Sequence, residues 1–282
     1  MIKPHLQGES FLSDVSNADN LKNGIHLWWL GQSGFLIKWN NYYLLFDPYL
    51  SDSLSRKYAA TDKPHTRMTE QVVRPESLDF IDVVTSSHNH TDHLDGETLS
   101  ALMRQNPKIQ LVVPSANRSF AAERLNVDPD KINAIDSGQS ITIGPIELNA
   151  VPAAHENLAK DQLGRHLYIG YVAKLGPWTL YHSGDTIPYD GMEDILQKWE
   201  IDVALLPING RRPERRVAGN LWGREAALLA KSIGAKTVIP CHYEMFEFNT
   251  EAPIEFETEC RTLGQEYQTL KAGQRWSRSK PN

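Results

Sequence analysis

The segment His88-Asn89-His90-Thr91-Asp92-His93 puts three imidazoles and a carboxylate within six consecutive residues. Nitrogen and oxygen donors of this kind suit zinc, manganese and iron. In an extended chain His88 and His90 point the same way and can chelate one ion, while Asp92 and His93 turn onto a neighbouring position. Composition alone would produce H-x-H-x-D-H in about one chain in a thousand, so a polar loop with accidental histidines is the weaker reading. Two ions roughly 3.5–4 Å apart can bind one water between them and lower its pKa toward neutrality. The resulting hydroxide attacks a carbonyl or phosphoryl centre, and one ion stabilises the charge that develops. Asp92 is the catalytic candidate, because it can both ligate a metal and orient, or take a proton from, that water. Esters, lactones, amides and phosphodiesters all lie within reach of this chemistry.

A β-rich run over residues 81–86 ends directly in the cluster. Before it, residues 26–30, 35–39 and 42–46 read as strands, with Asn40-Asn41 as a hairpin turn and Asp47-Pro48 ending the third. Residues 1–24 are polar and weakly patterned and read as an N-terminal arm. Residues 51–75 have no clear period and read as a surface loop or flap near the site. After the cluster, Asp95 is a good N-cap for a helix over 96–104, residues 109–113 form a strand, and Ser115 can cap a helix to 125. A second block places strands over 141–143, 146–151, 167–175, 178–182, 202–206 and 237–241, with helices over 192–199, 221–233 and 251–263. Antiparallel strands followed by alternating β and α thus occur twice. Two such halves, each with helices on one sheet face, pack sheet against sheet as an α/β/β/α sandwich. No Pro/Gly/Ser-rich linker divides them, so residues 1–282 read as one domain.

A histidine cluster of this form after a strand resembles the hallmark of the metallo-β-lactamase superfamily. The resemblance implies a four-layer αβ/βα sandwich and a hydrolytic two-metal site, and further ligands match in order. His155, after a strand, fits the third histidine, with His166 a nearby alternative. Asp185, in His182-Ser183-Gly184-Asp185-Thr186, fits the bridging carboxylate, and His242 fits the last histidine at a strand end. Asp47 fits the first acidic position, which supports the site from behind the ligands. The resemblance then implies that His88, His90 and His155 hold one ion, that Asp92, His93 and His242 hold the other, and that Asp185 bridges them. His182 should face the opposite side of its strand from Asp185 and reads as structural. His5, His26 and His65 have no motif context and read as surface or packing residues.

Flanking stretches narrow the likeness. Trp28-Trp29-Leu30-Gly31-Gln32-Ser33-Gly34-Phe35, Tyr181-His182-Ser183-Gly184-Asp185, Ile201-Asp202-Val203-Ala204-Leu205 and Ala235-Lys236-Thr237-Val238-Ile239-Pro240 are similar to the L-ascorbate-6-phosphate lactonase family, over residues 25–248. That family is cytosolic, uses a divalent metal, often manganese, and opens a phosphorylated sugar-acid lactone. The resemblance therefore implies two zinc or manganese ions and a small anionic ester or lactone as substrate.

Substrate charge has a local candidate. Arg211, Arg212, Arg215 and Arg216 follow the strand over 202–206, where loops should lie near the metals, and guanidinium forks match phosphate or carboxylate geometry. A solvated surface run is the other reading. Trp222 and the aromatic residues of 243–248 are candidates for a pocket wall or for core packing. A net charge of −6 argues against a nucleic-acid binder. Cys241 and Cys260 are too few for a disulfide scaffold. No apolar run approaches the roughly 20 residues that span a bilayer, and the N-terminus lacks the apolar core of a signal peptide, so the cytoplasm is the expected location. Nothing in the sequence excludes a homo-oligomer. Two readings compete with the lactonase-like hydrolase. One is a phosphodiesterase, including phospholipase D-like members of the same fold. The other is a non-catalytic metal- or partner-binding protein, against which the intact ligand set argues.

Overall fold

The computed structural model describes residues 1–19, 21 and 23–280. β1 (Gly24–Gly31), β2 (Gly34–Trp39) and β3 (Tyr42–Phe46) form an antiparallel meander, which β4 (Val83–Thr85), β5 (Gln110–Pro114) and β6 (Asn133–Ile135) extend in parallel. A second sheet begins with antiparallel β7 (Ser140–Ile143), β8 (Ile146–Pro152), β9 (Ile169–Leu175) and β10 (Trp178–His182). It then adds β11 (Val203–Pro207) and β12 (Thr237–Cys241) in parallel. β13 (Arg275–Ser279) returns to the first sheet and pairs antiparallel with β1. The strand orders are β13-β1-β2-β3-β4-β5-β6 and β12-β11-β10-β9-β8-β7, so the antiparallel-then-parallel plan does occur twice.

Burial explains which sequence patterns appear where. β1, β11 and β12 are buried at every position, and their sequences are near-continuous apolar runs, as strands covered on both faces require. The edge strands β7 and β13 instead alternate exposed and half-buried residues. The sheets meet face to face. His182 at the end of β10 stacks on Phe46 of β3 with ring centroids 4.9 Å apart, and the Tyr171 hydroxyl of β9 donates to the Ser86 carbonyl at 2.9 Å. Helix Arg118–Leu125 packs on β5 and on helix Gly96–Gln105, while helix Gly223–Ser232 packs on β11, β12 and helix Ile254–Leu263. The result is the α/β/β/α sandwich. Asp95 caps helix Gly96–Gln105, accepting from the Thr98 backbone N–H at 3.1 Å.

Three elements stand outside the sequence pattern. Within the N-terminal arm, helix Glu9–Ser16 buries Phe11 and Val15, and Trp28 Nε1 donates to Asp14 Oδ2 at 2.8 Å. Two apolar residues four apart share one helix face but make too short a pattern to stand out from a polar stretch. β13 leaves no apolar run to read, because an exposed edge strand is held by its backbone ladder to β1. Residues 51–75 also contain a short helix, Ser53–Tyr58. Among the described residues no helix is long and apolar enough to cross a membrane.

Candidate metal centre

Strand direction decides where the chemistry gathers. β3 and β4 run parallel in one sheet, and β10, β11 and β12 run parallel in the other. β8 shares the direction of β10 because two antiparallel pairings separate them. Asp47, His88, His155, Asp185 and His242 each follow within three residues of the C-terminal end of one of these strands. Asp47 and His242 adopt the left-handed region, with φ of 36° and 62°, a conformation that surrounding structure must hold in place. Gly184 has φ 60°, and a Cβ there would lie 2.6 Å from Ser87 Cβ. Glycine at this point lets the turn bearing Asp185 approach the histidine loop.

The side chains converge into two triads. One ligand atom from each of His88, His90 and His155 lies within 4.8 Å of the others, and the same holds for Asp92, His93 and His242. Asp185 stands between the triads. Its Oδ1 is 3.3 Å from His93 Nε2, and its Oδ2 is 3.3 Å from His242 Nε2 and 3.5 Å from His155 Nε2. His88 Nε2 is buried without a hydrogen-bond partner, and His93 Nε2 and Asp185 Oδ1 are buried with only their mutual 3.3 Å contact, outside good hydrogen-bond geometry. Leaving such atoms unsatisfied costs roughly 1–3 kcal/mol each. Clustered nitrogen and carboxylate donors with open lone pairs fit divalent zinc or manganese, so these residues could hold such ions.

Groups behind the triads fix their orientation. His93 Nδ1 lies 2.8 Å from Asp47 Oδ2, and Asp47 also accepts from the Ser87 backbone N–H at 3.0 Å and from the hydroxyls of Thr85 and Ser87. His155 Nδ1 donates to the Gly219 carbonyl at 2.9 Å, which turns Nε2 toward Asp185. Bonds of this kind set the ring tautomer that presents a bare nitrogen to a metal.

Charge divides the two triads. Burial alone would push His242 down, but Asp185 and Asp92 outweigh it and raise the ring to about 9. The same competition between burial and these two carboxylates leaves His93 well above its ordinary value. His88, His90 and His155 are pushed down, chiefly by burial, and stay neutral. The acidic triad therefore attracts a positive charge, and the all-histidine triad offers neutral imidazoles.

A cleft of about 530 Å³ opens over the triads at His90 and Asp92, walled in part by Leu54, Tyr58, His65, Phe246 and Phe248. That volume is in the range of small-molecule sites. His65, expected only to pack or lie at the surface, stacks on Tyr58 at 4.2 Å and meets Phe248 at 4.5 Å, forming part of this wall. Lys57 and Arg124 bring positive charge to it. Arg124 directs its guanidinium to the carbonyls of Asn89 and Leu94, at 2.9 Å each, and Lys57 lies 5.1 Å from the centre of the Tyr58 ring.

The four sequence-marked arginines are turned elsewhere. Arg211 pairs with Glu225 at 2.6 Å, Arg212 with Glu251 at 2.7 Å, and Arg216 with Asp62 at 2.6 Å. Arg215 closes on Glu251 and on the carbonyls of Asn209 and Thr250. The forks of this run are engaged by the chain itself, and none of the four arginines lines the cleft. From the same loop, Val217 and Ala218 reach the cleft wall. His166 pairs with Asp136 at 3.1 Å and joins neither triad. His182 points to the Ser33 carbonyl at 2.9 Å, and His26 is buried against Ser277. Trp222 lies under Arg212, whereas Phe246 and Phe248 do line the cleft.

Lys57 and Gln32 carry no chemical signal in the sequence. Gln32 looks like an ordinary polar residue in the tight turn between Gly31 and Gly34. The structure buries it, with Nε2 2.7 Å from Asp92 Oδ2.

Comparison with known proteins agrees with this architecture. Residues 42–243 match the β-lactamase superfamily domain. The chain is 27% identical over 230 residues to a metal-dependent hydrolase of Pyrobaculum aerophilum, covering 81% of this chain and 88% of the relative. It is 29% identical over 226 residues to a metal-dependent hydrolase of Methanoregula boonei, covering 79% of this chain and 84% of the relative. Among solved structures, the metallo-β-lactamase fold protein YhfI of Bacillus subtilis superposes with a TM-score of 0.65 at 18% identity, covering 91% of this chain and all of that one, at 100%.

Proposed function

The chain belongs to the β-lactamase superfamily, and from that premise we propose that it is a metal-dependent hydrolase with two divalent ions, zinc or manganese. The observation that carries this reading is the pair of triads joined by Asp185, with unpartnered buried donor atoms, beside an open cleft. In this reading His88, His90 and His155 hold one ion, Asp92, His93 and His242 hold the other, and Asp185 reaches both. When bound, the ions supply an acidified water and polarise the substrate oxygen.

The chain's own residues do the rest. Asp92 keeps 17% of its side chain exposed, on the cleft, where it can orient the attacking water and accept its proton. Asp47 and the Gly219 carbonyl hold His93 and His155 in the required tautomers. The aromatic wall takes the apolar part of a substrate, and Lys57 meets an anionic group. A small anionic ester or lactone fits this division, and a phosphorylated sugar-acid lactone is the candidate suggested by the resemblance of residues 25–248 to the L-ascorbate-6-phosphate lactonase family. The buried side chains of both sheets share one core, which supports reading the chain as a single domain.

The test is turnover by protein stripped of metal and reloaded with zinc or manganese, against lactones, carboxylic esters and phosphodiesters. Metal-dependent opening of lactones or esters is expected. Turnover of phosphodiesters alone would move the assignment to that class, and bound metal with no turnover of any class would make the protein a binding module.

A further inference from the structure

Gln32 occupies the turn between β1 and β2, at the opposite end of the chain from His242, yet it is tied to that residue twice. Its backbone, at φ 49°, presents a carbonyl that accepts from the His242 N–H at 2.9 Å. The same carbonyl accepts from Trp29 Nε1 at 2.9 Å, which locks the turn. Its side chain is 1% exposed and places Nε2 2.7 Å from Asp92 Oδ2 and 3.0 Å from His242 Nε2. The carboxamide therefore stands between a carboxylate delivered by the first sheet and an imidazole delivered by the second. Reversing the amide would set its oxygen against the Asp92 oxygen, two acceptors at hydrogen-bond distance, so the N–H groups face the site. The cost of this orientation is visible, because Gln32 Oε1 is buried with no hydrogen-bond partner. A polar side chain held in a left-handed turn, with one end unsatisfied, is retained where its other end is needed.

We propose that Gln32 is a positioning residue for the second ion: its amide N–H fixes Asp92 beside His242 and so sets the affinity of the Asp92–His93–His242 triad, leaving the His88–His90–His155 triad unaffected. This inference rests on the two-metal reading above. It predicts a selective defect, since nothing in the all-histidine triad touches Gln32 among the contacts described.

The experiment titrates metal-stripped wild type, Gln32→Ala and Gln32→Glu with cobalt(II), following the visible absorption of each equivalent, with thermal unfolding to verify the fold. Wild type should take up two equivalents. Gln32→Ala should bind the first as wild type does and the second about 10- to 100-fold more weakly, with the second spectral step displaced. Gln32→Glu keeps the size but sets an acceptor against Asp92, and should not restore the second step. Two wild-type-like equivalents in Gln32→Ala, or full retention in Gln32→Glu, would overturn the role of the N–H. Loss of both equivalents in a folded Gln32→Ala would overturn its selectivity. Wild type that binds no cobalt would instead overturn the metal reading itself, and this proposal with it.

Discussion

Asp47 and His93 meet inside the sandwich with Oδ2 2.8 Å from Nδ1 and both side chains fully shielded from solvent. The carboxylate takes Nδ1 of the ring and turns Nε2 toward Asp92 at 3.7 Å and Asp185 at 3.3 Å. Burial would raise Asp47, but His93, with His182 and Ser87, holds its carboxyl below the usual range. An ionised Asp47 thus keeps the ring ready for a cation.

Asp47→Asn should therefore weaken binding of the second ion about 10- to 100-fold. It should also destabilise the metal-stripped protein by roughly 1–3 kcal/mol, because the Ser87 and Thr85 donors lose a charged acceptor. Chelator competition and denaturant unfolding measure the two effects separately, and an unchanged metal affinity would remove Asp47 from the site.

Wild-type protein should bind close to two divalent ions, and the double variant His88→Ala, His90→Ala should retain about one. Elemental analysis after reconstitution decides this, and absence of bound metal in wild type would sink the assignment of both triads.

Asp185 and Asp92 should separate binding from chemistry. Asp185→Asn, at the contact shared by His93, His155 and His242, should reduce activity far more than thermal stability. Asp92→Asn should lower kcat more strongly than it alters KM, because the carboxylate acts on the attacking water. A wild-type rate in either variant would end that residue's proposed role.

Protons compete with metal in a direction set by the folded state. His242 is raised to about 9 from an ordinary 6.5, so its contribution to stability is fully present below pH 6.5 and is lost as pH rises through 9. His88, His90 and His155 are lowered, so their neutral forms support the fold above pH 6.5, and that support is lost as pH falls below it. Metal-stripped protein should show its highest Tm near pH 6.5, and zinc should flatten the alkaline side by replacing the proton on the acidic triad. Thermal scans at several pH values, with and without zinc, test this. A Tm of stripped protein that climbs steadily to pH 9 would contradict it.

Substrate charge should depend on Lys57 and not on the arginine run. Lys57→Ala should raise KM for an anionic ester about 3- to 10-fold with kcat nearly intact, as an exposed ion contact worth about 1 kcal/mol implies. Arg215→Ala should leave KM alone and destabilise the fold by roughly 1–3 kcal/mol, since it frees the Asn209 and Thr250 carbonyls from their donor. The reverse pattern would return the arginines to the substrate.

Features that depend on neighbouring residues are legible in the amino-acid order alone. Alternation and turn chemistry revealed most strands, and the spacing of His88, His90, Asp92 and His93 announced a metal-binding loop, because those side chains share one short stretch of backbone. The order of His155, Asp185 and His242 could be matched by resemblance, since each follows a recognisable strand. Tertiary structure decided what depends on partners far away in the chain. Arg216 reads as an unpaired cation in the sequence, and the fold sets Asp62, 154 residues distant, against it. Gln32 looked like a turn residue until His242, 210 residues distant, was placed against it. β13 and helix Glu9–Ser16 likewise owe their stability to β1 and to the core more than to a local pattern. A charge or an amide has no fixed role until the fold supplies its partner, and sheet packing supplies partners without regard to their separation along the chain.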